Sequence, residues 1–451
     1  MEHQELIDDL KKRIEDYFDE KEHEILLEDI KNRVEIYLRR KDTKNNPQIK
    51  YPLMGPSYDQ MEIAQVMDSL LKRDITMNFN NGNKVGIFED LWKGYVGKKE
   101  GIMVNSGSSA NLMALRILCN PIIKNPIMPG SEIITPALTW TTTVSPIWSV
   151  GCKPVFVDVD INSFTIDPNE IEKAITSKTR AIMVVHLLGH PCDMDRIMEI
   201  AKKHNLYLIE DCCEAHGAEY KGRIVGSFGD VSTFSFFFSH HLSTMEGGMV
   251  LTDNEEYAEI ARTMRSQGVI RNCRNEEFKN RYYNNPKYQT IDRKYLFVNI
   301  GYNLRPTELN GGFGIEQFKK FPEILRIRRE NALIFLERLK KYSDFIQMQK
   351  VGNGINHAWF GFAIYVKENS RFTRKDLEGF LNSKGIETRQ IMAGDMSLQP
   401  VVEIFDNTII GDLKNVKLIH KNAFFFGNHQ NIGEKERNHL INCFEEFFSK
   451  I

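Results

Sequence analysis

Long apolar runs are missing from this chain, and so is an imbalance of charge. No stretch approaches the ~20 consecutive apolar residues that a bilayer-crossing helix needs. The N-terminus opens on charged side chains, Glu2 to Lys12, where a secretory leader would be apolar. The expected location is therefore the cytoplasm. Net charge is −2; with no basic excess to neutralise a phosphate backbone, nucleic acid is not an expected partner, and neither is a membrane. Cysteine is sparse, at seven residues. Cys212 and Cys213 are adjacent, Cys192 and Cys273 stand alone, and no CxxC pair exists. An odd, scattered set fits reduced thiols better than a disulfide framework, and it gives no support to a zinc or iron–sulfur centre, so no metal is expected. Internal repeats and low-complexity tracts are also lacking.

What is present is a chain of 451 residues, 41% hydrophobic and 27% charged. That composition is ordinary for a soluble globular protein, and the length exceeds what one core usually supports. Three regions are expected. Residues 1–50 form a helical extension and linker: Leu6, Ile7, Leu10, Ile14, Tyr17 and Phe18 recur at helical spacing, and Leu26, Leu27, Ile30, Val34, Tyr37 and Leu38 do so again. These predict two amphipathic helices with a hairpin through Asp19 to His23, packed on the main body or on a subunit partner, and Lys41 to Lys50 reads as the linker. Residues 51–325 alternate short apolar strands with helices, and residues 326–451 change to a smaller α+β pattern. The strands Gly101–Val104, Glu132–Thr135, Lys153–Val157, Ala181–Val185 and Leu206–Ile209 are near-continuous apolar runs. Such runs predict an α/β fold with a largely parallel sheet covered by helices on both faces. An irregular charged loop is expected from Asn275 to Lys294. A helix should open after Pro306, and a separate charged helix should run from about Glu323 to Tyr342.

Polar junctions cluster at the strand ends, where ligands sit in such sheets. Asn105-Ser-Gly-Ser-Ser turns from a strand into a helix, which presents free amides and a positive dipole end to a phosphate at Gly107 and Ser108. Trp140 follows one strand, Asp211 and Glu214 another. A strand-like run from Val231 to Phe238, carrying Ser235, ends in His240-His241; Glu246-Gly247-Gly248 and a second apolar run follow. Adjacent histidines in an extended segment point to opposite faces, so at most one serves the site. Together these groups suit a phosphorylated pyridine: an aromatic over the ring, an acid against its nitrogen, a hydroxyl and amides on its phosphate, and a base. Taken singly, each has a plain structural explanation as cap, core or turn residue.

The order Ser106-Gly107-Ser108, Trp140, Glu210-Asp211, Phe234-Ser235, Glu246-Gly247-Gly248 and Gly301-Tyr302-Asn303-Leu304-Arg305-Pro306 resembles the fold-type-I pyridoxal-phosphate enzymes of the nucleotide-sugar aminotransferase family. The resemblance runs from about residue 52 to 450 and leaves the N-terminal helices over. In that family a lysine stands five residues after the serine; here the position is His240. This replacement is similar to the sugar 3-dehydratase branch, as are Trp359-Phe360-Gly361-Phe362, Gly385-Ile386-Glu387 with Arg389, and Gly427-Asn428-His429-Gln430. Iron–sulfur relatives carry a cysteine cluster where this chain has only Cys273. Where the family often has Arg-x-His-Gly, this chain has Arg265-Ser266-Gln267-Gly268, which leaves the sugar and its nucleotide open.

The resemblance implies a chemistry. Lysine would tie the cofactor covalently, whereas an imidazole cannot, so the cofactor rests as free pyridoxamine phosphate. Its amine takes up a sugar 4-ketone, His240 moves the proton, the 3-hydroxyl leaves, and ammonia is released; glutamate then restores the amine. The expected substrate is a nucleotide-linked 4-keto-6-deoxyhexose, GDP-4-keto-6-deoxymannose. The implied roles are His240 as acid–base, with Gly107, Ser108, Trp140, Asp211, Glu214, Ser235 and Asn303 on the cofactor, Asn303 reaching the site of a neighbouring subunit in at least a homodimer. Arg305, Arg389 and Glu246 are candidates for the substrate. A nucleotide-sugar aminotransferase and a non-catalytic cofactor-binding protein are the competing readings.

Overall fold

A computed structural model of the chain describes residues 20–41, 50–77 and 83–451. The first amphipathic helix expected from the sequence and most of the linker, residues 42–49, lie outside the described residues. The helix α1 (Glu20–Lys41) starts inside the stretch expected to turn, so Glu20 to His23 are helical and form no hairpin bend. It packs on α2 (Gln60–Leu71), where His23 Nε2 meets Asp68 Oδ1 at 2.7 Å. Asp68 also holds Lys84 and Lys72, and these cations with His23 keep its carboxyl well below the usual range despite burial. Next come α3 (Lys84–Val96), β1 (Glu100–Val104), α4 (Gly107–Leu118), β2 (Glu132–Pro136), α5 (Thr141–Ser149), β3 (Lys153–Val157), α6 (Pro168–Ala174), β4 (Thr179–Val185), α7 (Met194–His204) and β5 (Tyr207–Asp211). Two short strands, β6 (Glu219–Tyr220) and β7 (Arg223–Ile224), precede β8 (Val231–Ser235), β9 (Gly248–Thr252) and α8 (Glu255–Arg265).

The main sheet has the order β1-β9-β8-β5-β4-β2-β3-β14, where β14 is a two-residue strand, Thr408–Ile409, returning from the C-terminal region to the outer edge of β3. Only β9 runs against the others, so the carboxyl ends of β1, β8, β5, β4, β2 and β3 share one rim. These strands are buried almost throughout, the burial that their apolar runs predict. This is the α/β architecture expected from the sequence.

The segment expected to be an irregular loop contains the helix α9 (Glu276–Tyr283), capped by Asn275. The two helices expected around residues 306 and 323 are one, α10 (Glu308–Leu339), opened by a Thr307–Asn310 capping box and continuous through Pro322. Its first turns lie close to α3: a Cβ added at Gly311 would collide with the backbone of Lys84 and Val85. Its later residues Ala332, Phe335 and Leu339 enter a second core. That core lies under a four-stranded sheet in the order β10-β12-β15-β13, formed by β10 (Ile346–Met348), β12 (Gly361–Val366), β13 (Thr388–Gln390) and β15 (Ala423–Gly427). The apolar patterns over Trp359–Val366 and Ile386–Gln390 predict two of these strands, which begin at Gly361 and Thr388. The strand β11 (Ile355–Asn356) leaves this region to pair with β6, and the helices α11 (Arg374–Ser383), α12 (Val401–Ile404), α13 (Lys414–Asn422) and α14 (Glu434–Phe448) complete the chain. Among the described residues no helix is long and apolar enough to cross a membrane.

Candidate active site

The rim of the main sheet holds a cavity of about 330 Å³. It is lined by Ser106 to Ser108 after β1, Trp140 before α5, Val185 at the end of β4, Asp211, Cys213 and Glu214 at the end of β5, and Ser235, Phe237, Ser239 and His240 at the end of β8 and beyond it. A larger depression of about 670 Å³ lies at the opposite, amino ends of β5 and β8, around Lys98, Leu208 and Asp230. It gathers none of the groups expected from the sequence, and in parallel sheets ligands favour the carboxyl rim.

Ser106 caps α4, its side chain accepting from Ser109 N. The first-turn amides of Gly107 and Ser108 have no acceptor within the helix and face the dipole's positive end. Side chains are excluded here by crowding: a Cβ at Gly107 would stand 2.8 Å from Ser235 Oγ, and one at Gly248 would collide with the Ser106 carbonyl. Ser235 ends β8, which is strand only to that residue; Phe236 to His240 leave the sheet and turn. The separation of the two histidines therefore comes from a turn and not from strand alternation. His240 lines the cavity, while His241 is buried, its Nε2 bonded to the Ala358 carbonyl at 2.9 Å.

Asp211, only 4% exposed, is held by three donors: Asn111 Nδ2 and Thr143 Oγ1 to Oδ2, both at 2.8 Å, and Cys213 N to Oδ1 at 3.1 Å. Asn111 is oriented in turn by Thr233 Oγ1, which donates to its Oδ1 at 2.6 Å. A carboxylate offers about four acceptor sites, so one remains for a further donor from the cavity. Trp140, an indole 50% exposed at the head of α5, lines the same space. Glu214 accepts from Leu188 N at 2.7 Å; burial, reinforced by Asp211, pushes its carboxyl up to about 7 against that hydrogen bond. The opposite wall brings Phe360, Phe425, Arg328 and Arg389, and Glu246 borders the opening.

His240 is half-buried, and its Nδ1 has no hydrogen-bond partner among the described residues. Its ring lies 5.3 Å from that of Phe360 and 5.9 Å from that of His216. Burial and the Arg328 guanidinium pull the imidazole down to about 3, opposed by the main chain at Cys213. Among the described residues no lysine lines the cavity.

Of the residues singled out from the sequence, the structure brings together Gly107, Ser108, Trp140, Asp211, Glu214, Ser235, His240, Glu246 and Arg389. Asn303 and Arg305 do not line this cavity; Arg305 Nε donates to Asn303 Oδ1 at 3.1 Å on the surface. Gln267 does not line it either, and its amide donates to the Tyr302 carbonyl at 2.7 Å. Sequence reasoning missed Asn111, Thr143, Phe360 and Arg328. Asn111 carried a signal, a polar side chain between the apolar Ala110 and Leu112 inside a helix; Thr143, in the polar run Thr141 to Thr143, carried none.

Behind the rim, His186, Glu210 and Cys212 form the one group of three metal-type ligands found close together among the described residues. Glu210 is already saturated by the amides of Gly226, Phe228 and Gly229, at 2.6 to 2.8 Å, and by His186 Nε2 at 3.2 Å. His186 Nδ1 accepts from Cys192 N, which leaves the proton on Nε2 for Glu210. This cluster is a strut beneath Asp211.

Comparison with known proteins follows the same landmarks. Residues 57–445 match the model of the DegT/DnrJ/EryC1/StrS aminotransferase family, and the chain belongs to that family. It is 38% identical to a GDP-4-keto-6-deoxy-D-mannose 3-dehydratase of Escherichia coli O55:H7, over 85% of this chain and 96% of that protein. The crystal structure of an E. coli GDP-4-keto-6-deoxy-D-mannose 3-dehydratase with bound hydrated PLP superimposes with a TM-score of 0.79, at 36% identity, covering 88% of this chain and 99% of that one. A structure of GDP-4-keto-6-deoxymannose 3-dehydratase with a trapped PLP–glutamate geminal diamine gives the same score at 35% identity, covering 87% and 100%.

Proposed function

We propose that this chain is a pyridoxal/pyridoxamine-phosphate enzyme that removes the 3-hydroxyl of a nucleotide-linked 4-keto-6-deoxyhexose, GDP-4-keto-6-deoxymannose, with glutamate as amine donor and ammonia as co-product. The observation that carries this reading is His240 on the wall of a cavity that no lysine among the described residues lines. The rest of the cavity fits the cofactor: helix-start amides for a phosphate, a fourth acceptor site on Asp211 for a ring N–H, and an exposed indole for a ring face. When bound, the cofactor supplies an electron sink and an amine that engages the sugar ketone.

The chain's own groups do the remaining work. The amides of Gly107 and Ser108, with Ser235 Oγ, hold the phosphate. Asp211, fixed by Asn111 and Thr143, keeps a proton on the ring nitrogen. Trp140 covers the ring, and Glu214 supports it from the β5 side. His240 Nε2 takes one proton and returns it to the departing hydroxyl, and without an amine at this position the chain cannot form a covalent tie to the cofactor. Arg389 and Glu246, at the opening, and Arg305 meet the nucleotide sugar. Asn303, exposed outside the cavity of its own chain, serves the phosphate in the partner site of a homodimer. The balance closes: glutamate takes up water and is oxidised to 2-oxoglutarate with loss of ammonia, and the two electrons and two protons it yields reduce the sugar C3–OH to C3–H with loss of water, so no net water forms. The proposed compartment is the cytoplasm, in keeping with seven free cysteines.

Incubation with GDP-4-keto-6-deoxymannose, pyridoxal phosphate and glutamate tests the reading. Ammonia with a 3,6-dideoxy-4-ketosugar is the expected result. A 4-aminosugar would make the chain an aminotransferase, and borohydride fixing the cofactor to the protein would overturn the role given to His240.

A further inference from the structure

Arg328, on α10, is 3% exposed and lines the cavity. Its Nη1 donates to three main-chain carbonyls, Trp359 at 3.3 Å, Phe360 at 3.1 Å and Asn428 at 2.5 Å; its Nε has no partner, and no carboxylate pairs with it among the described residues. A buried cation without an anion is costly, and its field reaches far in a medium of low polarity. Around it stand imidazoles instead of acids. His240 packs on the ring of Phe360, whose carbonyl binds the guanidinium. His216 lies beneath His240, with both ring nitrogens unpartnered among Trp92, Phe234, Phe236 and Phe321. His241 and His429 complete the ring, and Arg328 disfavours the charged form of all four.

The other charged and titratable groups of the cavity do not cancel this field. Asp211 is turned to its three donors and no acid is among the groups that act on His240, while burial leaves Glu214 protonated to about 7. The Cys213 thiol is pushed well up by burial, Glu246 and Arg389 are exposed at the opening, and no carboxylate stands on the Phe360 side among the described lining residues.

We infer that Arg328 is a positioning residue that sets the charge of His240: its guanidinium, tied to main-chain carbonyls and unmatched by any acid, keeps the imidazole proton-free until the reaction delivers a proton, and makes the resulting imidazolium a ready donor to the leaving hydroxyl. This rests on His240 being the acid–base group. The test therefore reads protonation directly, without turnover.

The exchange rate of each histidine C2 hydrogen, followed by mass spectrometry of peptides from the full-length protein between about pH 5 and 9, reports the fraction of neutral ring. In the wild type, His240 exchanges with no midpoint in that window. In Arg328→Gln a midpoint rises into the acid end of that window, held below about 6.5 by the burial that remains, while Arg328→Lys, which keeps a cation, stays flat. If circular dichroism finds Arg328→Gln unfolded, Asn428→Asp replaces it. That change gives the arginine a counter-ion beside the unpartnered Asn428 Oδ1, and it should bring the midpoint into the window as well. A wild-type His240 titrating near about 6.5 overturns the inference, as does a flat profile in the folded variant. Failure of turnover with a flat wild-type profile and a shifted variant would instead discard the acid–base role alone.

Discussion

Two neighbours at the end of β5 are handled in opposite ways. On one side of the strand, Glu210 accepts three amides and a histidine, His186 spends both nitrogens, and every polar atom in the contact has a partner. On the other side, across Asp211, His240 Nδ1 and both nitrogens of His216 lack hydrogen-bond partners among the described residues, and Arg328 lacks an acid among them. Each corner contains a fully buried histidine, His186 in one and His216 in the other, so burial and residue type alone do not separate them. Saturation does: a satisfied polar cluster fixes geometry, whereas unsatisfied groups around a cavity are available for a ligand or a proton.

The contrast can be broken at three points. The largest effect is expected at His240. His240→Asn should lower turnover of the keto sugar by about 10²–10⁴-fold while leaving the urea midpoint unchanged; a comparable loss of stability would make His240 a strut like His186. Glu210→Ala should do the reverse. It leaves three buried amides without an acceptor and should cost about 3–5 kcal/mol in urea unfolding, and a loss below about 1 kcal/mol would erase the distinction between the corners. The smallest effect is at Glu214, which lies between the two. Folded, it keeps its proton to about 7, whereas an unfolded glutamate releases it near about 4.3. The unfolded state binds fewer protons across that interval, so stability falls as pH rises through it. Glu214→Gln removes this slope. Cofactor-free variant and wild type should melt alike near about pH 5, and by about pH 8 the variant should be ahead by about 2–3 kcal/mol. Equal melting at the higher pH would mean the carboxyl ionises freely.

Much of the site was legible because its parts are local. A small-residue loop entering a helix, an acid closing an apolar strand and a histidine between a serine and a Glu-Gly-Gly turn are all short-range patterns, and they mark Ser108, Asp211 and His240 directly. Arg328 was illegible for the opposite reason. In the sequence it is one cation among several on a long charged helix, and only the tertiary arrangement reveals that its neighbours are carbonyls and imidazoles instead of acids. The same division holds for the fold. Buried apolar runs announced the parallel strands, but β11 and β14 are two residues long and exist only because a distant edge accepts them, and β6 and β7 form a two-residue hairpin too short to show a pattern. The boundary between two helices near residue 323 failed because a charged surface stretch and a glycine-rich buried stretch differ in composition, yet both propagate one helix.

The return of Thr408–Ile409 to the outside of β3 also dictates an order of events during synthesis. The flank of Lys153–Val157 stays open on the ribosome until the chain past residue 409 has emerged, so one border of the nascent sheet waits for a segment made long after it. Lys153 and Pro154 occupy that waiting flank, a cation and a residue with no amide hydrogen, the pair of side chains that discourages a stranger's strand from docking first.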